Sequence, residues 1–303
     1  MSRSATLART HRGLARLGRV AGSIASFLAV GVVLSGCWEL YKFLGQRWHD
    51  RVPGIGWQFP VATDDLSLPH VSDIVGSLFR PTRRGSKTTL LETLLRETGT
   101  TLRTATLGFL GGALAGILIA LIFTRLRPVS RGMMPWLVAS QTVPLVAIAP
   151  MVVIWGGKIG LPVWGAVAMI AVYLAFFPVT INALRGLTSS SALHHDLLKS
   201  WGASERQTTR YLRVPGAVPH LFTGLRLAAT ASVIGTLVGE LSAGTGSGLG
   251  RAILNFSYFY SNGPEKLYAA VLVASLVGMA FVFVVIAVER LVTRNRWNPG
   301  RRS

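Results

Sequence analysis

The sequence predicts an all-α polytopic membrane protein with six transmembrane helices and both termini on the cytoplasmic side. Three observations lead there. Hydrophobic residues make up 50% of the 303 residues and charged ones only 14%, a membrane composition rather than a soluble one. Apolar runs recur along the chain at the length needed to cross a hydrocarbon core of ~30 Å. Lys and Arg gather at the ends of these runs, in the pattern that keeps short loops on the cytoplasmic side. The net charge of +19 would also suit a nucleic-acid partner. None is expected, because the basic residues form short clusters beside apolar runs with little aromatic interleaving. The single Cys37 excludes an intrachain disulfide and a multi-cysteine metal site.

Residues 1–19 form a basic tail with Arg3, Arg9, Arg12, Arg16 and Arg19 and no acid, expected in the cytoplasm. Residues 20–44 make the first span. Inside it, Leu34-Ser35-Gly36-Cys37 reads like a lipoprotein cleavage site, and cleavage there would leave an acylated Cys37 and remove this span. Residues 45–100 form a polar outer segment, with short helices expected over Asp73–Phe79 and Leu90–Thr98. Gly85-Ser86-Lys87-Thr88 lacks the earlier glycine and the strand–loop–helix setting of a phosphate loop. No other stretch supplies one, so no ATP site is expected on this chain.

Residues 101–296 hold the remaining five spans. The second covers about Leu102–Phe123, with Gly108, Gly112 and Gly116 on one face for close helix approach. Arg125, Arg127 and Arg131 mark a cytoplasmic turn. The third covers about Trp136–Trp155 and is expected to break at Pro144 and Pro150. Gln141 and Thr142 precede the first break. Interrupted spans free backbone carbonyls and often lie beside a transport path; plain kinked packing is the other reading. The fourth covers about Pro162–Leu184 and the fifth about His220–Leu241. Glu240 ends the fifth, as a carboxylate with a function or as one that simply reaches water. Gly244, Gly246, Gly248 and Gly250 follow and predict a tight or mobile outer re-entry. The sixth covers about Leu267–Val292, followed by a basic cytoplasmic end, of which residues 297–303 are the tail.

Between the fourth and fifth spans, residues 187–219 are the most polar run of the second half. Leu193, Leu197, Leu198 and Trp201 fall on one arc at helical spacing. Ser191 is a fitting N-cap, and Gly202 suits the left-handed end of a helix. Ser204 and Gln207 have the spacing of a capping box, and the second helix is expected to stop before Pro215. The object predicted is two short helices joined at Gly202, with an apolar face free to dock. The adjacent His194 and His195 point about 100° apart on a helix and do not chelate a metal together.

This run resembles the "EAA" loop of binding-protein-dependent ABC importer permeases: Glu-Ala-Ala, three residues, Gly, nine residues, Ile, any residue, Leu-Pro. Asp196-Leu197-Leu198 stands for Glu-Ala-Ala, Gly202 for Gly, Leu212 for Ile and Val214-Pro215 for Leu-Pro. The acid is Asp rather than Glu, and the two alanines are leucines. Leu68-Pro69-His70-Val71-Ser72-Asp73-Ile74-Val75 resembles the segment before an outer helix in the sulfonate and nitrate branch. Gln141 to Pro150, with prolines at that separation, and Glu240 followed by Gly248-Leu249-Gly250 resemble the same family.

The resemblance implies a type I importer permease (MetI-like) in the bacterial cytoplasmic (inner) membrane, with no enzymatic site of its own. Leu193, Asp196, Leu197, Leu198, Trp201, Gly202, Ala203, Leu212 and Pro215 would couple it to an ATPase. Gln141, Thr142, Pro144, Pro150 and Glu240 would line the path. It implies no directly bound cofactor, with ATP-Mg on two copies of a partner ATP-binding subunit. It further implies an extracytoplasmic solute-binding protein, a second copy of the permease, and a small polar or anionic organic solute of the nitrate, sulfonate, taurine or thiamine-precursor kind. The alternative is a secondary transporter or channel driven by an ion gradient, for which Glu240 is the one mid-chain acid in a suitable place.

Overall fold

The computed structural model describes residues 25–26, 29–51, 58–83, 85–244 and 246–294. The expected tails 1–19 and 297–303, and the start of the first span, lie outside the described residues. The first helix, α1, is continuous over residues 29–47. Eleven α-helices can be traced through the described residues, with no strand longer than an isolated bridge. After α1 come α2 (Val71–Ser77), α3 (Leu90–Arg125), α4 (Arg127–Ser140), α5 (Leu145–Lys158) and α6 (Val163–Thr188). Then follow α7 (Ala192–Ser200), α8 (Glu205–Thr208), a π-helical turn (Thr209–Arg213), α9 (Val214–Ser242), α10 (Leu249–Tyr258) and α11 (Pro264–Arg294).

Helices α3, α6 and α9 form the centre, and small residues let them touch. A Cβ at Gly108 would collide with Ala171. One at Gly112 would lie 2.5 Å from the Ala175 Cβ, and one at Gly116 2.7 Å from the Phe176 carbonyl. The predicted glycine face is therefore the α3–α6 seam. Helix α9 meets α6 in the same manner, through Gly224 against Pro178 and Asn182, Gly235 against Ala171 and Gly239 against Val167. In lipid no hydrophobic force drives one helix onto another, so this contact geometry is what holds the bundle together. A second cluster lies at the start of α3, where Leu90 and Leu94 pack with Ile74, Leu249, Ala269 and Ala270.

Four helices are long and apolar enough to cross a membrane, and a fifth crossing is made if α4 and α5 count as one broken span. Several expected boundaries are corrected. Leu90–Thr98 is not a separate outer helix but the opening turns of α3. Thr89 caps it by accepting from the Glu92 N–H at 3.2 Å, and 36 continuous residues follow. At 1.5 Å per residue α3 is about 54 Å long, so it projects well beyond the hydrocarbon core. The third span breaks once, by 98° between α4 and α5, with Pro144 as the N-cap of α5. Pro150 lies within α5 and does not break it. A proline removes one hydrogen bond from a helix, and with five residues of α5 before it the helix carries on.

The helical run that α8 opens does not stop before Pro215. The chain turns through the π segment straight into α9, and Val214 keeps helical angles although a proline follows. Pro215 falls in the first turn of α9, where a missing N–H is least costly. The widened turn before it absorbs the crowding that usually ends a helix at that point.

Candidate functional site

The structure builds two sites at opposite ends of α9. The one at its N-terminal end, inner in the orientation expected from the sequence, is the pair α7–α8. The Ser191 hydroxyl accepts from the His194 N–H at 3.5 Å and opens α7. Gly202, at φ +71°, reverses the chain in the left-handed region. Ser204 and Gln207 then form the expected capping box: the Ser204 N–H donates to Gln207 Oε1 at 2.7 Å, and the Gln207 N–H to Ser204 Oγ at 3.3 Å.

Leu193, Leu197 and Trp201 recur at every fourth position and stand out from the bundle, with Leu193 and Trp201 each 76% exposed. Asp196 is exposed beside them, whereas Leu198, Ala203 and Leu212 are half-buried against the rest of the chain. Pro215 is exposed at the start of α9. The predicted arc is thus divided: three large apolar side chains face outward and Leu198 faces in. Burying one such side chain is worth roughly 1.5–3 kcal/mol, so the exposed stripe would gain from being covered.

The site at the C-terminal end of α9, outer in that expected orientation, is centred on Glu240. This side chain is 2% exposed and does not reach water. The bland expectation for Glu240 is overturned. Its carboxylate accepts from the Thr101 hydroxyl at 2.9 Å and from the Gly250 N–H at 2.8 Å. The Thr101 oxygen in turn accepts from the Leu249 N–H at 2.8 Å, and Glu97 accepts from the Gly248 N–H. Three successive amides at the start of α10 are therefore held by two carboxylates and a hydroxyl, where the helix dipole favours negative charge.

The glycines are a steric necessity here. Gly248 sits at φ +109°, and a Cβ on it would collide with the Glu240 carboxyl. A Cβ on Gly250 would come 2.5 Å from the Leu237 carbonyl. The glycine-rich re-entry is tight, drawn down onto the end of α9.

Beside Glu240 a cavity of about 340 Å³ is lined by Thr100, Thr104, Val163, Trp164, Val167, Gly244, Gly246 and Ser247. Arg103 stacks over Trp164, 4.7 Å from the ring centroid. Thr101, Glu97 and Trp164 were not singled out from sequence. The sequence carries one signal: a run of glycine amides at a helix start needs acceptors, and Glu97 and Thr101 lie in the opening turns of an otherwise apolar helix.

The remaining residues expected on the path are elsewhere. Gln141, Thr142 and Pro144 sit together in the α4–α5 bend. There the Tyr173 hydroxyl donates to the Ser140 carbonyl and Thr142 Oγ1 donates to the Ala139 carbonyl at 2.8 Å. Pro150 lies one and a half turns into α5. None of the four lines the cavity at Glu240.

Residues 112–297 match the family of binding-protein-dependent transport system inner membrane components. The chain belongs to this family. It is an inner-membrane, multi-pass permease of a binding-protein-dependent ABC importer, and as the permease component it brings no ATPase domain. Among its relatives, the formylaminopyrimidine transport permease protein ThiX of Halalkalibacterium halodurans is 37% identical over 183 residues, covering 59% of this chain and 69% of the relative. A probable ABC transporter permease protein of Haemophilus influenzae is 31% identical over 209 residues, covering 68% and 80%. The taurine transport system permease protein TauC of Escherichia coli is 27% identical over 230 residues, covering 75% and 80%. The suspected family and its taurine and thiamine-precursor branch are borne out. A binding-protein-dependent system also implies an ATP-hydrolysing subunit and a solute-binding protein as partners.

Proposed function

We propose that the permease crosses the membrane six times, with α1 and the broken α4–α5 pair as the spans beyond the four long helices, and with both termini in the cytoplasm. Nineteen of the 31 Lys and Arg residues then face the cytoplasm, which is the distribution short loops require. The α7–α8 pair hangs on that side. It enters a groove on the ATP-hydrolysing subunit through Leu193, Leu197 and Trp201, with Asp196 beside them and Gly202 as the hinge. Two copies of the permease enclose the path, and two ATP-binding subunits, each holding ATP-Mg, drive it. The solute is a small polar or anionic organic molecule handed over at the outer face, in keeping with the names of the relatives.

The observation that carries this reading is the outward stripe of three large apolar residues on a glycine-hinged helix pair. What marks it is the regular four-residue spacing of these side chains along one face. The role of the α4–α5 bend as part of the path rests on its freed carbonyls, which at membrane depth need a wet or protein-lined setting.

Trp201→Asp tests the docking. Removing an aromatic anchor from the centre of an interface costs about 2 kcal/mol or more. Retention of the ATP-binding subunit on the purified permease should fall about thirtyfold at that cost, while the permease still inserts and elutes as one species. Full retention of the ATPase together with normal uptake would remove α7 from the coupling surface.

A further inference from the structure

At the foot of the bundle lies a second cavity, of about 450 Å³, between the inner ends of α3 and α6 and the first turns of α4 and α7. Three arginines and a histidine line it: Arg127, Arg131, Arg213 and His195. No acid does. Arg213 is shared with Glu205 at 3.5 Å and donates to His195 Nε2 at 3.5 Å. Among the described residues, no carboxylate comes within ion-pair distance of Arg127 or Arg131.

These two arginines stand four residues apart on α4, so they share a face. Like charges at that spacing destabilise a helix unless an anion sits between them. The opposite wall is apolar, with Phe123, Leu184 and Leu187.

We propose that this cavity binds a phosphate-bearing anion, the headgroup of a phospholipid in the inner leaflet. Guanidinium forks match phosphate oxygens in pairs, and a basic pocket between spans on the cytoplasmic side is suited to an anionic headgroup. The apolar wall decides between a lipid and free phosphate. A lipid keeps its acyl chains in hydrocarbon beside the partly exposed Leu184, whereas a free phosphate ion entering the same apolar wall gives up water with nothing to replace it. The bound headgroup touches both α4 and the base of the helix pair α7–α8, through His195. The lipid therefore ties the broken span to the coupling helices. This inference rests on the orientation argued above, which puts the cavity on the cytoplasmic side.

The test uses the permease purified with its ATP-binding subunit, with native mass spectrometry to count retained lipid after incubation with phosphatidylglycerol or phosphatidylcholine. Phosphatidylglycerol should be retained in preference. Arg127→Gln with Arg131→Gln should lower that retention about 25-fold, at about fivefold for each guanidinium lost near the surface. Arg80→Gln with Arg83→Gln, at the other end of the molecule, should leave it unchanged. Inorganic phosphate is added as a separate arm. If it does not displace the lipid, the occupant is the lipid; if millimolar phosphate displaces it, the phosphate chemistry stands and the source is a free anion. Equal retention of the two lipids, or phosphatidylglycerol retention untouched by the double substitution, overturns the proposal. Co-purification of the ATP-binding subunit in the same sample reports on the coupling helices separately, so loss of one reading is distinguishable from loss of the other.

Discussion

The two ends of α9 are built on opposite plans. At the outer end Glu240, Thr101 and the amides of residues 248–250 are interlocked and buried, and glycine is forced by contact. At the inner end the chain leaves the bundle through a π turn into helices that expose their largest apolar side chains. Buried polar networks gain strength from their low-dielectric setting and allow little movement. Exposed short helices held by caps and a glycine hinge keep their shape yet can move as a unit. A machine that turns a push into a change of access needs both, one end anchored and one end free.

The contrast can be broken most severely in the packed part. Gly112→Leu drives carbon into the Ala175 side chain and the Phe176 backbone. Its cost should be about 3 kcal/mol or more, because backbone cannot step aside as a side chain can. Loss of a monodisperse peak on size exclusion checks this, and a wild-type melting temperature would show that α3 and α6 do not meet there.

Next comes Glu240→Ala, which leaves the Gly250 N–H and the Thr101 hydroxyl buried without this acceptor. A cost of about 1–3 kcal/mol is expected for such orphaned groups. Glu240→Gln retains an oxygen for the Gly250 N–H and should recover most of the stability, but uptake should stay below wild type. Uptake restored in full by Gln would mean that the carboxylate is only a fastener.

Gly202→Val sharpens the contrast from the other side. A β-branched residue at φ +71° is strained, and the helix pair must reorient. Because the site is solvent-exposed, the global melting temperature should move by little while solute-stimulated ATP hydrolysis uncouples from uptake. A large drop in melting temperature would show that the inner end is bound into the bundle after all.

The smallest effect is expected at the outer surface, between Lys42 and Asp65, 2.5 Å apart. A hydrogen bond from Lys42 and its charge hold the Asp65 carboxyl below its ordinary value. A lowered folded value means the contribution is present above the unfolded carboxylate's pKa near ~4 and fades as pH falls through the folded one. Asp65 is 80% exposed, so solvent screens its pH-dependent contribution, although its partner Lys42 is 1% exposed. Melting curves of wild type and Asp65→Asn should separate slightly at neutral pH and converge in acid.

What could be read from the chain was local in sequence. The Gly108, Gly112 and Gly116 face, the Ser204–Gln207 capping box and the Gly202 turn each depend on residues within two or three helical turns, and each is present. Glu240 was visible as an unusual acid, but its burial was not. Its partner Thr101 lies 139 residues away in the chain, and no periodicity carries that information. The prolines misled in two directions. Pro150 and Pro215 were read as stops, yet one sits inside a helix and the other near the start of one, where tertiary packing and a widened turn outweigh the local preference. Leu90–Thr98 was cut from α3 because its polar residues ended the apolar run, although backbone geometry continues unbroken.

The π turn at Thr209–Arg213 has a further consequence for how such chains can change over time. Successive residues of a helix are offset by about 100° around its axis. Deleting one residue from this turn would restore ordinary winding and swing α7 about a quarter of the way around α9, without altering a side chain in either. The length of five residues, Thr209 to Arg213, therefore sets the angle at which the α7–α8 pair stands to α9, independently of the side chains in either.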